Sequence, residues 1–213
     1  YPWMDEGINS YYESRDIEAY YPNRKYIENA DLRETNPFGL GDLTQQDITR
    51  ISYLFSAQNA IDQAVNLHSL DYEMINYGTI VYFKSVGLFK YLENIIGTES
   101  LDNAMQQYFN AWKYKHPQPD DLQNIFKKHL KKNTTWFFDE LLPFPKGLES
   151  KIDKVKKKNG ALEVRMSSPR HLSTPFVLDY QTNELDTFRF EVPAHTATKR
   201  TISIPDYGKG KLV

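Results

Sequence analysis

The sequence predicts an α+β fold, with helices first and a small antiparallel β domain after them. Two observations carry that prediction. Apolar residues recur at spacings of three and four as far as residue 142, whereas beyond Gly147 they alternate, with Asn159-Gly160 standing as a hairpin signal between alternating flanks. Charge changes at the same place. Residues 1–150 carry 14 Lys and Arg against 21 Asp and Glu, while residues 151–213 carry 12 against 7. The expected division is therefore 1–147, helical, and 148–213, a small antiparallel β domain, the whole being long enough for each part to bury a core.

Bulk composition narrows the classes. With 40% hydrophobic and 14% aromatic residues the chain is expected to fold. No apolar run approaches the roughly 20 residues that cross a bilayer, so no transmembrane segment is expected. A net charge of -2 gives no reason to expect a nucleic-acid partner. There is no cysteine, which excludes disulfides and thiolate metal sites; any metal would be held by His and carboxylates.

The elements follow in order. Ile8, Tyr11, Tyr12 and Arg15 have helical spacing, and Trp3 and Met4 bring apolar bulk up to the head of that helix. Glu6 is then held against packed structure, where an acid can serve as a metal ligand. Residues 20–41, rich in Asn, Pro, Gly and Tyr, read as a long surface loop, either functional or connecting. Thr44 with Asp47 marks a helix start, and Ile48, Ile51, Leu54, Phe55, Ile61, Ala64 and Val65 form a stripe expected in the core. Residues 76–97 predict one strong helix through Val81, Ser85, Leu88, Leu92 and Ile95, stopped at Gly97. Leu101, Met105, Tyr108, Phe109 and Trp112 share the face of the next helix, which ends before Pro117-Gln118-Pro119. Asp120 reads as the N-cap of a further helix through Leu122, Ile125, Phe126, His129 and Leu130. Residues 134–142 make a short apolar helix before Pro143 and Pro145.

Past Gly147, Leu162, Val164 and Met166 point to one side after the Asn159-Gly160 turn. Residues 175–180, then Phe188, Phe190 and Val192, then Ile202 and Ile204, supply further strands, five or six in all. The basic strand Lys151–Lys158 is expected to protect a sheet edge.

Two of these stretches resemble the gluzincin aminopeptidases, the M1 family of zinc metallopeptidases. Asp5-Glu6-Gly7 is similar to the acid-Glu-Gly triplet, usually Asn-Glu-Gly, that supplies the family's third zinc ligand, which maps onto Glu6. Tyr82-Phe83-Lys84-Ser85 resembles the family's Tyr-x-Lys-Gly helix, whose tyrosine hydroxyl hydrogen-bonds the forming oxyanion; Ser85 stands where glycine is common. Tyr77 matches a tyrosine that lines the substrate cleft in some members. The resemblance is carried by residues 1–15 and 76–97, and elsewhere only in outline. It implies a thermolysin-like helical half-domain followed by a β-sandwich-like domain, one Zn2+ as cofactor, and peptides as substrates. The family's His-Glu-x-x-His would lie about twenty residues before Glu6, hence before Tyr1. The chain is accordingly expected to be the C-terminal part of a longer protein and inactive by itself.

The residue types suit that chemistry. A tyrosine hydroxyl is a neutral donor at pH 7 and can stabilise developing negative charge without neutralising a neighbouring carboxylate. Each residue also has a plainer role: an acid near a helix start complements the macrodipole, and a helical tyrosine is ordinarily half-buried packing. Of the histidines, His68 is placed to line a cleft or to pack. His116, His129, His171 and His195 lack the i, i+4 pairing of a helical zinc site. The alternative to a zinc aminopeptidase is a catalytically inactive relative that binds peptides or proteins.

Overall fold

A computed structural model of the chain describes residues 1–27, 40–59, 61–168, 173–182, 186–205 and 210–212. The fold is a helical layer followed by two small antiparallel sheets. Most of the predicted loop, and His171, lie outside the described residues.

The helical part is built round one continuous rod. Helices α1 (Glu6–Tyr20) and α2 (Gln45–Gln58) come first. The rod then runs as α3 (Met74–Gly78), a π-helical turn (Thr79–Lys84) and α4 (Ser85–Ile96). Spacings of three and four over 76–97 predict an unbroken α-helix; the structure inserts a wider turn in its first half. Gly97, at φ +93°, ends the rod in a conformation that favours glycine. Helices α5 (Thr98–Trp112) and α6 (Pro119–His129) follow, then a second π turn at Phe137–Leu141. Helix α6 starts one residue before the expected cap: Gln118 is the N-cap, and its backbone N–H donates to Asp121 Oδ2 at 2.8 Å.

The core gathers on α4. Leu88, Phe89, Leu92, Ile95 and Ile96 are buried with Trp3 and Tyr11, with Leu101 and Met105 of α5, with Leu122 and Phe126 of α6, and with Phe137 and Leu141. Phe89 is the hub, its ring 5.4 Å from both Tyr11 and Phe137 and 6.1 Å from Trp3. The α2 stripe departs from expectation. Ile51, Leu54, Phe55 and Ile61 are exposed, and the helix's buried side chain is Ser56. Helix α2 packs on the π turn through its small polar side, which turns its apolar stripe outward. Ala64 and Val65 do reach the core, but from beyond the helix end.

Strands β1 (Lys151–Lys158), β2 (Ala161–Ser167) and β5 (Lys199–Pro205) form one antiparallel sheet in the order β1-β2-β5. Strands β3 (Phe176–Thr182), β4 (Thr187–Val192) and β6 (Gly210–Leu212) form the other, in the order β4-β3-β6. Leu162, Val164 and Met166 of β2 and Ile204 of β5, from one sheet, pack with Leu178, Tyr180 and Val192 of the other in a second core, so the two sheets make a small sandwich. The lysine-rich β1 is an exposed edge. Among the described residues, sheet and helices are tied by contacts that include the Tyr91 hydroxyl donating to Pro175 O, the Ser173 N–H donating to Glu140 at 2.9 Å, the Lys132 ammonium paired with Glu191, and Val177 packing on the helical core.

Candidate active site

The site is assembled where α1 crosses the π turn. Before α1 the chain makes a 3-10 turn at Pro2–Met4, with the Met4 N–H donating to Tyr1 O at 3.1 Å. That turn drives Trp3 fully into the core, where its Nε1 donates to Asn66 Oδ1 at 3.1 Å. Glu6 opens α1 in a half-buried position, anchored by packed structure on its N-terminal side.

Gly7 sets the depth of the crossing. A Cβ on Gly7 would lie 2.7 Å from Ser85 Cβ and 2.9 Å from Val81 O. No larger residue fits without movement. Ser85 is fully buried at the same crossing and its Oγ donates to Ile80 O at 3.3 Å. The serine that replaces the expected glycine is therefore accommodated by a bond to its own rod, with Gly7 providing the space.

Tyr82 sits on the π turn, half-buried, within reach of Glu6. Its phenol is pushed above the ordinary tyrosine range, first by desolvation and then by hydrogen bonding and charge from the Glu6 carboxylate, with smaller contributions from Tyr77 and Asp5. Tyr77 stands one turn earlier, its ring edge-on to Tyr72 with centroids 5.7 Å apart. The buried Tyr72 hydroxyl donates to Val65 O at 2.5 Å. Tyr82 thus meets Glu6, 76 positions away across the crossing, while Tyr77 lies within electrostatic reach of Tyr82 and packs on Tyr72. A cavity of about 240 Å³ lies beside Tyr82, walled by Ser10, Ser14 and Ile17 of α1, Gln45 and Thr49 of α2, and Phe83.

The donor chemistry fits one oxygen ligand of a metal and no complete shell. Among the described residues no group of three His, Asp or Glu side chains could hold an ion. His68 is exposed and lies tilted against Tyr1 with centroids 4.3 Å apart, and His116, between α5 and α6, His129, at the end of α6, and His195, in the β region, are exposed.

The motif residue Lys84 was singled out in the sequence, but its buried pairing with Asp62 behind the site was not. Lys84 is 1% exposed, and its Nζ donates to Asp62 Oδ1 at 2.9 Å and to Gln63 O at 2.7 Å. The signal for it was present: Lys84 lies three after Val81 and four before Leu88, on the apolar stripe of the rod. Its partner, 22 positions away, left no such mark.

A family model described as the peptidase family M1 domain matches residues 2–141. A comparison with curated proteins found no match. Among solved structures, the chain is similar to aminopeptidase A of Legionella pneumophila, crystallised in complex with aspartic acid, at a TM-score of 0.60 and 12% identity. That likeness, which shows the fold, covers 96% of this chain and 21% of the aminopeptidase. The chain spans about a fifth of the structure it matches.

Proposed function

The chain belongs to peptidase family M1, and we propose on that premise that the intact protein is a zinc metallopeptidase, an aminopeptidase acting on peptide N-termini. Glu6 is the zinc ligand this chain provides, Tyr82 the oxyanion donor, and Tyr77 a wall of the substrate cleft. The two histidine ligands and the general base come from a His-Glu-x-x-His segment outside residues 1–213, so these residues alone cleave nothing. The helical residues 1–147 act as the C-terminal part of the catalytic domain, and residues 148–213 as a separate β domain behind it.

The observation that carries this reading is the meeting of Tyr82 with Glu6 at the Gly7 crossing. Zinc held by two histidines and a glutamate would lower the pKa of its water to about 7 and polarise the scissile carbonyl. The protein's own groups do the rest. Glu6 fixes an oxygen donor at the first turn of α1. Tyr82, kept protonated by desolvation and by the carboxylate beside it, offers an O–H to the carbonyl oxygen as negative charge develops. A donor of this kind is worth about 10²–10³ in kcat. The cavity beside Tyr82 receives a side chain of the peptide.

The test is zinc content and aminoacyl-arylamide hydrolysis by the intact protein, beside Glu6→Gln and Tyr82→Phe. One zinc per chain in the parent, loss of zinc in Glu6→Gln, and retained zinc with about 10²–10³-fold lower kcat in Tyr82→Phe support the reading. A parent that holds no zinc and hydrolyses nothing, with both variants indistinguishable from it, identifies a peptide-binding relative instead.

A further inference from the structure

The segment that carries both tyrosines is gripped at its two ends by three consecutive residues. At one end the buried Asn76, next to Tyr77, donates from Nδ2 to Ile61 O and to Gln63 Oε1, the latter at 2.9 Å. At the other end Lys84, two residues after Tyr82, donates to Asp62 Oδ1 and Gln63 O. The grip is itself held. Gln63 Nε2 donates to Asp71 O, the Glu73 N–H donates to Gln63 Oε1, and the Tyr53 hydroxyl lies 3.4 Å from Asp62 Oδ2. Lys84 also reaches Phe144 O at 3.3 Å, so each proton of the ammonium has an acceptor.

Stability alone does not account for this arrangement. Both side chains of the ion pair are almost wholly buried, at 2% and 5% exposure, and an apolar pair of similar volume ordinarily serves a core as well or better. What the ion pair adds is direction. The π turn between the two anchors carries one residue more per hydrogen-bonded ring than an α-helix, a local irregularity that needs outside support. That extra residue sets which way Tyr82 points.

We infer that Asp62 and Lys84 are positioning residues: with Asn76 bound to the same three residues, their ion pair locks the π turn and thereby holds Tyr82 towards Glu6. This rests on the reading of Tyr82 as the oxyanion donor.

The experiment uses the intact protein carrying Asp62→Leu with Lys84→Met, a replacement chosen to keep the core filled and the chain folded. Zinc content is expected to match the parent and KM to change little, while kcat falls roughly 10²-fold, the size of effect a misplacement of about 1 Å produces. In a Tyr82→Phe background the same replacement should cost almost nothing further, because its effect acts through the hydroxyl already removed. Losses that multiply in the combined variant overturn the inference. A crystal structure supplies a readout independent of activity. Tyr82 turned away from Glu6, with residues 79–84 regularised to α-helix, supports the lock; an intact π turn with Tyr82 still facing Glu6 overturns it. Should Tyr82→Phe alone leave kcat unchanged, the oxyanion reading fails and the crystal structure by itself decides the lock. If the double replacement does not fold, Asp62→Asn, which keeps the shape and one acceptor oxygen, goes through both arms.

Discussion

Gly7 meets Ser85 at a distance that leaves no room for a methyl group, 2.7 Å from a built Cβ to Ser85 Cβ. Helix α1 reaches Tyr82 because of that contact. Gly7→Ala gains about 1 kcal/mol of helix propensity, but forcing α1 away from the Val81 carbonyl, which is backbone and cannot rotate aside, costs about 1–3 kcal/mol. The overpacking is expected to win. A lower Tm is predicted for Gly7→Ala, partly restored when Ser85→Gly is added; an unchanged or raised Tm would refute the close crossing.

Four tyrosines, Tyr11 and Tyr72 buried and Tyr12 and Tyr108 half-buried, predict alkaline sensitivity. Burial, the first cause in each, pushes the phenols of Tyr12, Tyr72 and Tyr108 up to about 12 and that of Tyr11 higher still. The unfolded chain releases these protons near pH 10 while the folded chain still holds them. Above pH 10 the folded state binds more protons, so stability is complete below that pH and is lost as pH rises towards 12 and beyond. Thermal melts from pH 8 to 12 should show a fall that begins near 10. Tyr72→Phe should flatten that fall and cost about 1 kcal/mol at neutral pH through the lost bond to Val65 O.

Arg15 binds Asp102 with two bonds, of 2.5 and 2.9 Å, pinning α1 to α5. The guanidinium holds the Asp102 carboxyl below the ordinary carboxylate range. A depressed acid contributes stability that is present above its unfolded value, about 3.9, and is lost as pH falls through the folded value. The Asp102 side chain is 41% exposed, so screening keeps the effect modest. Urea denaturation should place Asp102→Asn about 1 kcal/mol below the parent at pH 7, with the gap closing below pH 4. A gap that persists in acid would point to packing and not charge.

The β1–β2 turn sets Asn159 at φ +51° and Gly160 at φ +74°. Two successive residues with positive φ match the twist of a two-residue hairpin. Gly160→Ala should cost about 1–2 kcal/mol, felt locally. Hydrogen exchange is expected to quicken at β1 and β2 amides while α4 amides keep their protection. Uniform acceleration across both would mean that the sheets and helices unfold as one unit.

Much of this was legible in the sequence because it depends on neighbours along the chain. Apolar spacing marked α1, α5, α6 and the rod; Asn159-Gly160 marked its hairpin; Glu6, Tyr77 and Tyr82 could be singled out as candidates. The α2 stripe misled because periodicity reports a hydrophobic face without reporting what covers it, and here the side towards the rod is the one that bears Ser56.

What tertiary structure alone decided lies in distances between residues remote in sequence. Spacings of three and four are compatible with an α-helix and with a rod holding one π turn, because most of the buried stripe, Ser85 to Ile95, lies past the turn and keeps its own period. The turn exists where residues 61–63 take hold of Asn76 and Lys84. Likewise a glycine at position 7 is an ordinary residue until Ser85 and Val81 arrive against it. The sequence by itself determined the helices, the strands and the residue types at the site. Bringing Glu6 to Tyr82 was left to the fold, since close packing between helices depends on which surfaces meet, and that is a property of the whole chain.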